Sequence, residues 1–197
     1  MNHADHVGLI RAGVEGGGRR WLELGAGEGA FTLALADILG PGGDIVAIDR
    51  DAGALGRLET EMTRRFPDVR LRAGVGDFRE TLPRGPFDGV LAANSLHFVV
   101  NPVAVVTLAG ANLQPGGRFI VVEYDADRGN PRVPHPFSFE TWRSIAAEAG
   151  LTDPRLIGRV PSRFLRAIYA AVSETPAVGG RAAPLRDEPQ ATSIGSS

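Results

Sequence analysis

The chain contains no cysteine, and no lysine either: all 21 of its Lys-plus-Arg side chains are arginine. Without cysteine there are no disulfides, zinc–thiolate sites or cysteine nucleophiles. Without lysine there is no P-loop lysine, no Schiff-base lysine and no Tyr-x-x-x-Lys catalytic pair. Charge of one sign is also lacking. The formal net charge is −2, so no global basic field draws the chain to nucleic acid. No apolar run reaches the roughly 18–20 residues that cross a bilayer. The opening "MNHADHVGLIRAGVEGGGRRW" lacks the charged-then-apolar pattern of a secretory signal. These absences lead us to expect a cytoplasmic protein with neither a nucleic-acid nor a membrane partner.

What is present is a chain of 197 residues, 43 % hydrophobic and 22 % charged. That suits a single globular domain, expected over residues 1–175, with residues 176–197 reading as a disordered tail rich in Pro, Gly, Ala and Ser. Apolar periodicity alternates along the domain. Strands are expected at 21–24, 44–49, 69–74, 87–94, 118–125, 155–160 and 166–173. Between them, Phe31, Leu35, Ile38 and Leu39 form one helical stripe, and Leu55, Leu58, Met62 and Phe66 another. Asn101-Pro102 and Ser138 look like the starts of two further helices. Strands alternating with helices imply an α/β fold, a parallel sheet covered on both faces. In such folds ligands bind beyond the carboxyl ends of the strands. Gly25–Gly29, Asp49, Asp77, Asn94 and Glu123–Asp125 all fall at such ends.

The glycine loop reads Glu23-x-Gly25-x-Gly27-x-Gly29, and equally Gly25-x-Gly27-x-x-Ala30, a dinucleotide fingerprint ending in alanine. Glycine lets a backbone approach a ligand closely, and the helix that follows offers free N–H groups. Glu23 weighs against a pyrophosphate, since like charges repel, and suits a cationic ligand. Asp49 lies 20 residues beyond Gly29 and can accept both hydroxyls of a ribose. Asp77, in "GDF", can accept from an adenine amino group while Phe78 lines the ring.

In this order the segments "LELGAGEG", "VAIDRD", "GDF", "FDGVLAANSLHFV" and "LQPGGRFIVVEYD" resemble the class I S-adenosylmethionine (SAM)-dependent methyltransferases. "NSLHF" is similar to the small-molecule methyltransferases of ubiquinone and menaquinone biosynthesis. The likeness runs from Trp21 to Tyr124, and in layout to Ser173. It implies a Rossmann-like three-layer sandwich with a seven-stranded, mostly parallel sheet of order 3-2-1-4-5-7-6, strand seven antiparallel. It implies SAM as cofactor and a small molecule as acceptor. Gly25, Ala26, Gly27 and Gly29 would pass the methionine part, and Glu23 would support the loop. Asp49 would hold the ribose, Arg50 would flank the adenine, Asp77 and Phe78 would fix its amino end, and Asn94 would close the pocket.

Methyl transfer from a sulfonium is an in-line displacement, so alignment supplies much of the rate. A base is needed only where the acceptor must lose a proton. His97 suits that role by its ordinary titration range, with Tyr124 and Glu123 as second choices. His97 could equally be a packing residue and Tyr124 a core aromatic. Asp125, Asp127 and Asn130 invite a metal reading, but metal-dependent relatives place an acid where this chain has Asn94, so none is expected. His135 sits among prolines where it would line a substrate mouth. Arg155, Arg159, Arg163 and Arg166 are either a solvated edge or an anion clamp. The loop at 125–137 and the N-terminal segment are expected to share the covering of the site. Two other functions stay open on the residues alone: an NAD-dependent oxidoreductase using the alternative loop reading, and a SAM-binding accessory protein without catalysis.

Overall fold

A computed structural model describes residues 1–177 of the chain. The segment expected to be a disordered tail lies outside the described residues from position 178 onward. Twelve regular elements follow one another: α1 His3–Val14, β1 Arg20–Leu24, α2 Ala30–Leu39, β2 Asp44–Asp49, α3 Ala52–Arg65, β3 Arg70–Val75, β4 Phe87–Ala93, α4 Pro102–Gly110, β5 Leu113–Tyr124, α5 Phe139–Glu148, β6 Arg155–Pro161 and β7 Ala167–Glu174. A single 3-10 turn, Leu96–Phe98, follows β4.

The strands form one sheet of order β3-β2-β1-β4-β5-β7-β6. Every pairing from β3 to β5 is parallel, and β7 runs antiparallel to both neighbours. This is the sandwich expected from the sequence. Its central strands are continuous apolar runs because both faces are covered: Trp21, Leu22 and Leu24 of β1 are fully buried, as are Ile120, Val121 and Val122 of β5. One core cluster lies between the sheet and α1, α2 and α3, centred on Ile10, Trp21, Leu35, Leu58 and Ile120. The other lies under α4 and α5, around Phe87, Phe119, Trp142 and Tyr169. None of the helices among the described residues is long and apolar enough to cross a membrane.

Local chemistry sets the element boundaries. The Asp51 side chain accepts from Ala54 N at 2.9 Å and caps α3, whose last turn carries Arg64 and Arg65 against the helix dipole. The Ser138 side chain caps α5 through Thr141 N. α2 has no side-chain cap; Gly29 turns the chain into it at φ 88°, and a Cβ there would lie 2.2 Å from Leu58 Cδ1.

One expectation needs correction. β5 begins at Leu113, not 118, because "QPGG" bulges within the strand: β4 pairs Phe87 with Leu113 and Gly89 with Arg118. The N-terminal segment is a capped helix, and Met1, just ahead of it, lines a cavity at the end of β5. Asn2 and Asp5 form a reciprocal capping box, and Val7, Leu9, Ile10 and Val14 are buried against the sheet layer.

Candidate active site

The order β3-β2-β1-β4 brings the loops after these four strands to one edge of the sheet. There a cleft of about 180 Å³ is lined by Gly25, Asp49, Arg50, Asp77, Phe78, Arg79, Asn94, Ser95 and Phe98. Six of the residues singled out in the sequence, Gly25, Asp49, Arg50, Asp77, Phe78 and Asn94, therefore share one cleft, though they come from four separate loops; His97 and Tyr124 do not line it.

The glycine loop is pinned from below. Gly25 N and Ala26 N both donate to Ile48 O, at 2.8 and 3.1 Å. Gly27 N donates to Asp49 Oδ2 at 2.8 Å, and Asp51 N to Asp49 Oδ1 at 2.9 Å. Each Asp49 oxygen thus accepts one backbone N–H and keeps a second lone pair for a ligand hydroxyl. Gly25 is at φ 74°, and a Cβ there would stand 2.6 Å from Ser95 Cβ and 3.3 Å from Phe78. Ala26, Gly27 and Gly29 do not line the cleft; Ala26 is buried and tied into the loop.

Glu23 sits behind this loop. It is 2 % exposed, and its Oε2 accepts from the Thr32 hydroxyl at 2.5 Å. Burial pushes its carboxyl up to about 8, with Thr32 opposing and Asp49 adding to the shift. Glu23 therefore joins β1 to α2 behind the loop without presenting a charge to the cleft.

Asp77 lines the cleft but is already engaged. Arg79 Nε donates to its two oxygens at 2.9 and 3.0 Å, and Arg79 N donates to Oδ1 at 2.9 Å. The Arg79 hydrogen bonds hold the Asp77 carboxyl down at about 2. Arg50 is mostly exposed, with its guanidinium 3.9 Å from Asp77.

Asn94 ends β4 with φ 52°, and its backbone N–H donates to Val122 O. Its Oδ1 and the Ser95 hydroxyl are buried without hydrogen-bond partners among the described residues. His97 lies just beyond them and is 3 % exposed. Its Nδ1 is 3.0 Å from both oxygens of Glu123, a fully buried residue at the end of β5. Those oxygens also accept from His97 N at 3.2 Å and Tyr124 N at 2.7 Å. Surrounded by donors, Glu123 leaves the facing ring nitrogen to donate as well, which makes Nε2 the basic nitrogen. The Tyr124 ring stands edge-on to His97 at 5.6 Å, and burial, with Glu123 beside it, raises its hydroxyl's pKa. His135 N donates to His97 O at 3.0 Å, so the 125–137 loop is bound to the turn that carries His97.

The remaining candidates do not converge. Asp125 accepts from Phe139 N and pairs with Arg159, and Asp127 accepts from Ser138 N and the Thr141 hydroxyl. These acids start α5. Among the described residues, no group of three or more His, Asp or Glu could hold a metal ion. The basic stretch divides: Arg163 lines one cavity, while Arg159 and Arg166 line another. Sequence reasoning missed Arg79 and Thr32, which no motif marks, and gave no role to Ser95 and Phe98, which lie within "NSLHF".

The donor set fits an adenosyl cofactor. A carboxylate with two spare lone pairs, an aromatic wall, a Cβ-free approach at Gly25 and two orphaned buried oxygens converge on one cleft.

Comparison with known proteins agrees. A family model described as "Methyltransferase domain" matches residues 16–150. A protein named "Probable cobalt-precorrin-6B C(15)-methyltransferase (decarboxylating)", from Thermoplasma volcanium, is 30 % identical over 84 residues. That match covers 43 % of this chain and 41 % of the relative, so less than half of its length is spanned. Among solved structures, the YcgJ protein of Bacillus subtilis superposes with a TM-score of 0.71 at 14 % identity, covering 88 % of this chain and 99 % of that one. The 1,6-didemethyltoxoflavin-N1-methyltransferase of Burkholderia thailandensis, solved with bound 1,6-didemethyltoxoflavin and S-adenosylhomocysteine, gives a TM-score of 0.69 at 19 % identity, covering 89 % of this chain and 78 % of that one. At these identities the two structures speak for the fold.

Proposed function

This chain belongs to the methyltransferase-domain family, and we propose that it transfers the methyl group of SAM to a small-molecule acceptor by in-line displacement. The observation that carries this reading is the cleft in which Asp49, Phe78, Asn94 and Gly25 meet at the strand ends. The Burkholderia protein, of like fold, was solved with S-adenosylhomocysteine bound, which supports the same cofactor here.

The cofactor, when bound, supplies a methyl group on a sulfonium that leaves as a neutral thioether. The chain supplies position and proton handling. Asp49 accepts the ribose hydroxyls on its two free lone pairs. Phe78 packs against the adenine, with Asp77 and Arg50 at its rim. Asn94 Oδ1 offers an unpaired dipole to the cationic end of the ligand. Where the acceptor is a hydroxyl, His97 Nε2 takes its proton, and Glu123 holds the ring in the tautomer that can do so. Glu123 acts only through His97 and is a positioning residue. The acceptor in this reading is a small molecule rather than nucleic acid, and a cytoplasmic location, which cell fractionation would test, completes it.

Thermal unfolding with S-adenosylhomocysteine and, separately, with NAD(H) tests the proposal. Ligand at ~100 times its dissociation constant adds about 2.7 kcal/mol, a rise of roughly 5–10 °C for a domain of this size. A rise with S-adenosylhomocysteine alone is expected. A rise with NAD(H) alone would overturn the proposal.

A further inference from the structure

The geometry points to the cavity beside the cofactor cleft as the acceptor site, and to Arg163 as the residue that selects an anionic aromatic acceptor. The inference rests on the methyltransferase reading above and adds to it the substrate class. This second cavity, about 430 Å³, lies between the end of β5 and the turn joining β6 to β7. Its size falls within the roughly 300–1,000 Å³ of small-molecule sites. Asn94 lines both it and the cofactor cleft. Asn94 thus marks where the two spaces adjoin; His97, three positions along the chain, is buried and lines neither of them.

The lining of this cavity is specific in character. Tyr124, Phe164, Ile168 and, from the N-terminal segment, Met1 supply aromatic and aliphatic surface. Among its lining residues Arg163 carries the one side-chain charge, and no lining residue is acidic. Most other arginines near the site are occupied: Arg159 by Asp125, Arg79 by Asp77, and Arg132 by the face of Phe164 at 5.7 Å. Arg163 makes no ion pair among the described residues, and the buried Glu123 is spent on His97 and two backbone N–H groups. An apolar cavity whose one guanidinium has no ion-pair partner among the described residues suits an aromatic ring bearing a carboxylate, which arginine can grip with two parallel hydrogen bonds. The other end of such a ring would place its hydroxyl toward Asn94. The acceptor class is therefore a hydroxyarene carboxylate.

The test uses the full chain preloaded with S-adenosylhomocysteine. 3-Hydroxybenzoate, 4-hydroxybenzoate and 3-hydroxy-2-naphthoate are each titrated against the matching carboxamide. At least one carboxylate is expected to bind tenfold or more tightly than its amide. Arg163→Gln should abolish that preference while S-adenosylhomocysteine affinity stays within twofold, and Arg163→Lys should restore part of it. Equal binding of acid and amide, a preference that survives Arg163→Gln, or no binding by any probe to the loaded protein would each overturn the inference. Failure of S-adenosylhomocysteine itself to bind would instead overturn the methyltransferase reading beneath it.

Discussion

Replacing Glu23 by glutamine should make the protein more stable at alkaline pH and less stable at acid pH. Glu23 is buried at the tip of β1, and burial pushes its carboxyl from the ordinary 4.5 up to about 8. Below pH 4.5 the group is protonated whether the chain is folded or not, so it contributes no pH dependence. Between 4.5 and about 8 the unfolded chain ionises it and the folded chain does not. The unfolded state then binds fewer protons, and stability falls by about 1.4 kcal/mol per pH unit. Above about 8 both states are ionised and the loss is complete, amounting to about 5 kcal/mol over the window. Against a total stability of about 5–15 kcal/mol that is a large share. Glutamine keeps an oxygen for the Thr32 hydroxyl and cannot ionise. Its amide adds buried donors that cost about 1–3 kcal/mol at every pH. The variant should therefore start below the wild type at pH 4.5 and finish about 2–4 kcal/mol above it beyond pH 8. Urea denaturation of both proteins in steps from pH 4.5 to 8.5, at constant ionic strength, reads the difference directly. Only the difference matters, since every other titrating group is common to both. A difference that stays flat across the window, or drifts in favour of the wild type, would refute the reasoning.

Three further outcomes follow from the same geometry. Asp49→Ala should weaken S-adenosylhomocysteine binding by at least about a hundredfold, since each hydrogen bond to a charged group is worth about 1.5–3 kcal/mol and the loop also loses its tie at Gly27; calorimetric titration reads this, and affinity within threefold of wild type would remove Asp49 from the site. Gly29→Ala should destabilise the fold by about 1–3 kcal/mol, through its positive φ and the contact with Leu58; a denaturation midpoint unchanged from wild type would count against that packing. Glu123→Gln should lower kcat on a hydroxylated acceptor by about 10²–10⁴-fold with cofactor affinity preserved, and nitrogen NMR should show the His97 ring losing its single Nδ1–H tautomer; one tautomer and full turnover in the variant would contradict the positioning role.

The fold was legible because its strands are short apolar runs separated by strong breakers. "PGG" at 41–43 and the capping Asp51 and Ser138 gave nearly the observed boundaries. α1 is marked in the sequence only by the Asn2–Asp5 capping box and the apolar residues at 7, 10 and 14, a weak stripe in a segment that also shows glycines at 8 and 13. The start of β5 escaped because Pro-Gly-Gly ordinarily ends a strand, and only the pairing across β4 shows that the chain bulges and continues. In the site, strand-end logic pointed to Gly25, Asp49, Asp77 and Asn94, with Phe78 beside Asp77 and Arg50 from the family resemblance, and all six line one cleft. The tie between His97 and Glu123 was not legible, because it joins residues 26 apart in sequence through the β4–β5 pairing. Nor was the capture of Asp77 by Arg79, since an exposed arginine two residues on carries no periodic or motif signal.

The most direct test of the central claim is a crystal structure of the protein with S-adenosylhomocysteine. The account predicts density in the cleft after β1, β2, β3 and β4, with the ribose hydroxyls on the Asp49 carboxylate, the adenine against Phe78 and the sulfur turned toward Asn94. Density elsewhere, or a bound ribose that leaves Asp49 untouched, would contradict it.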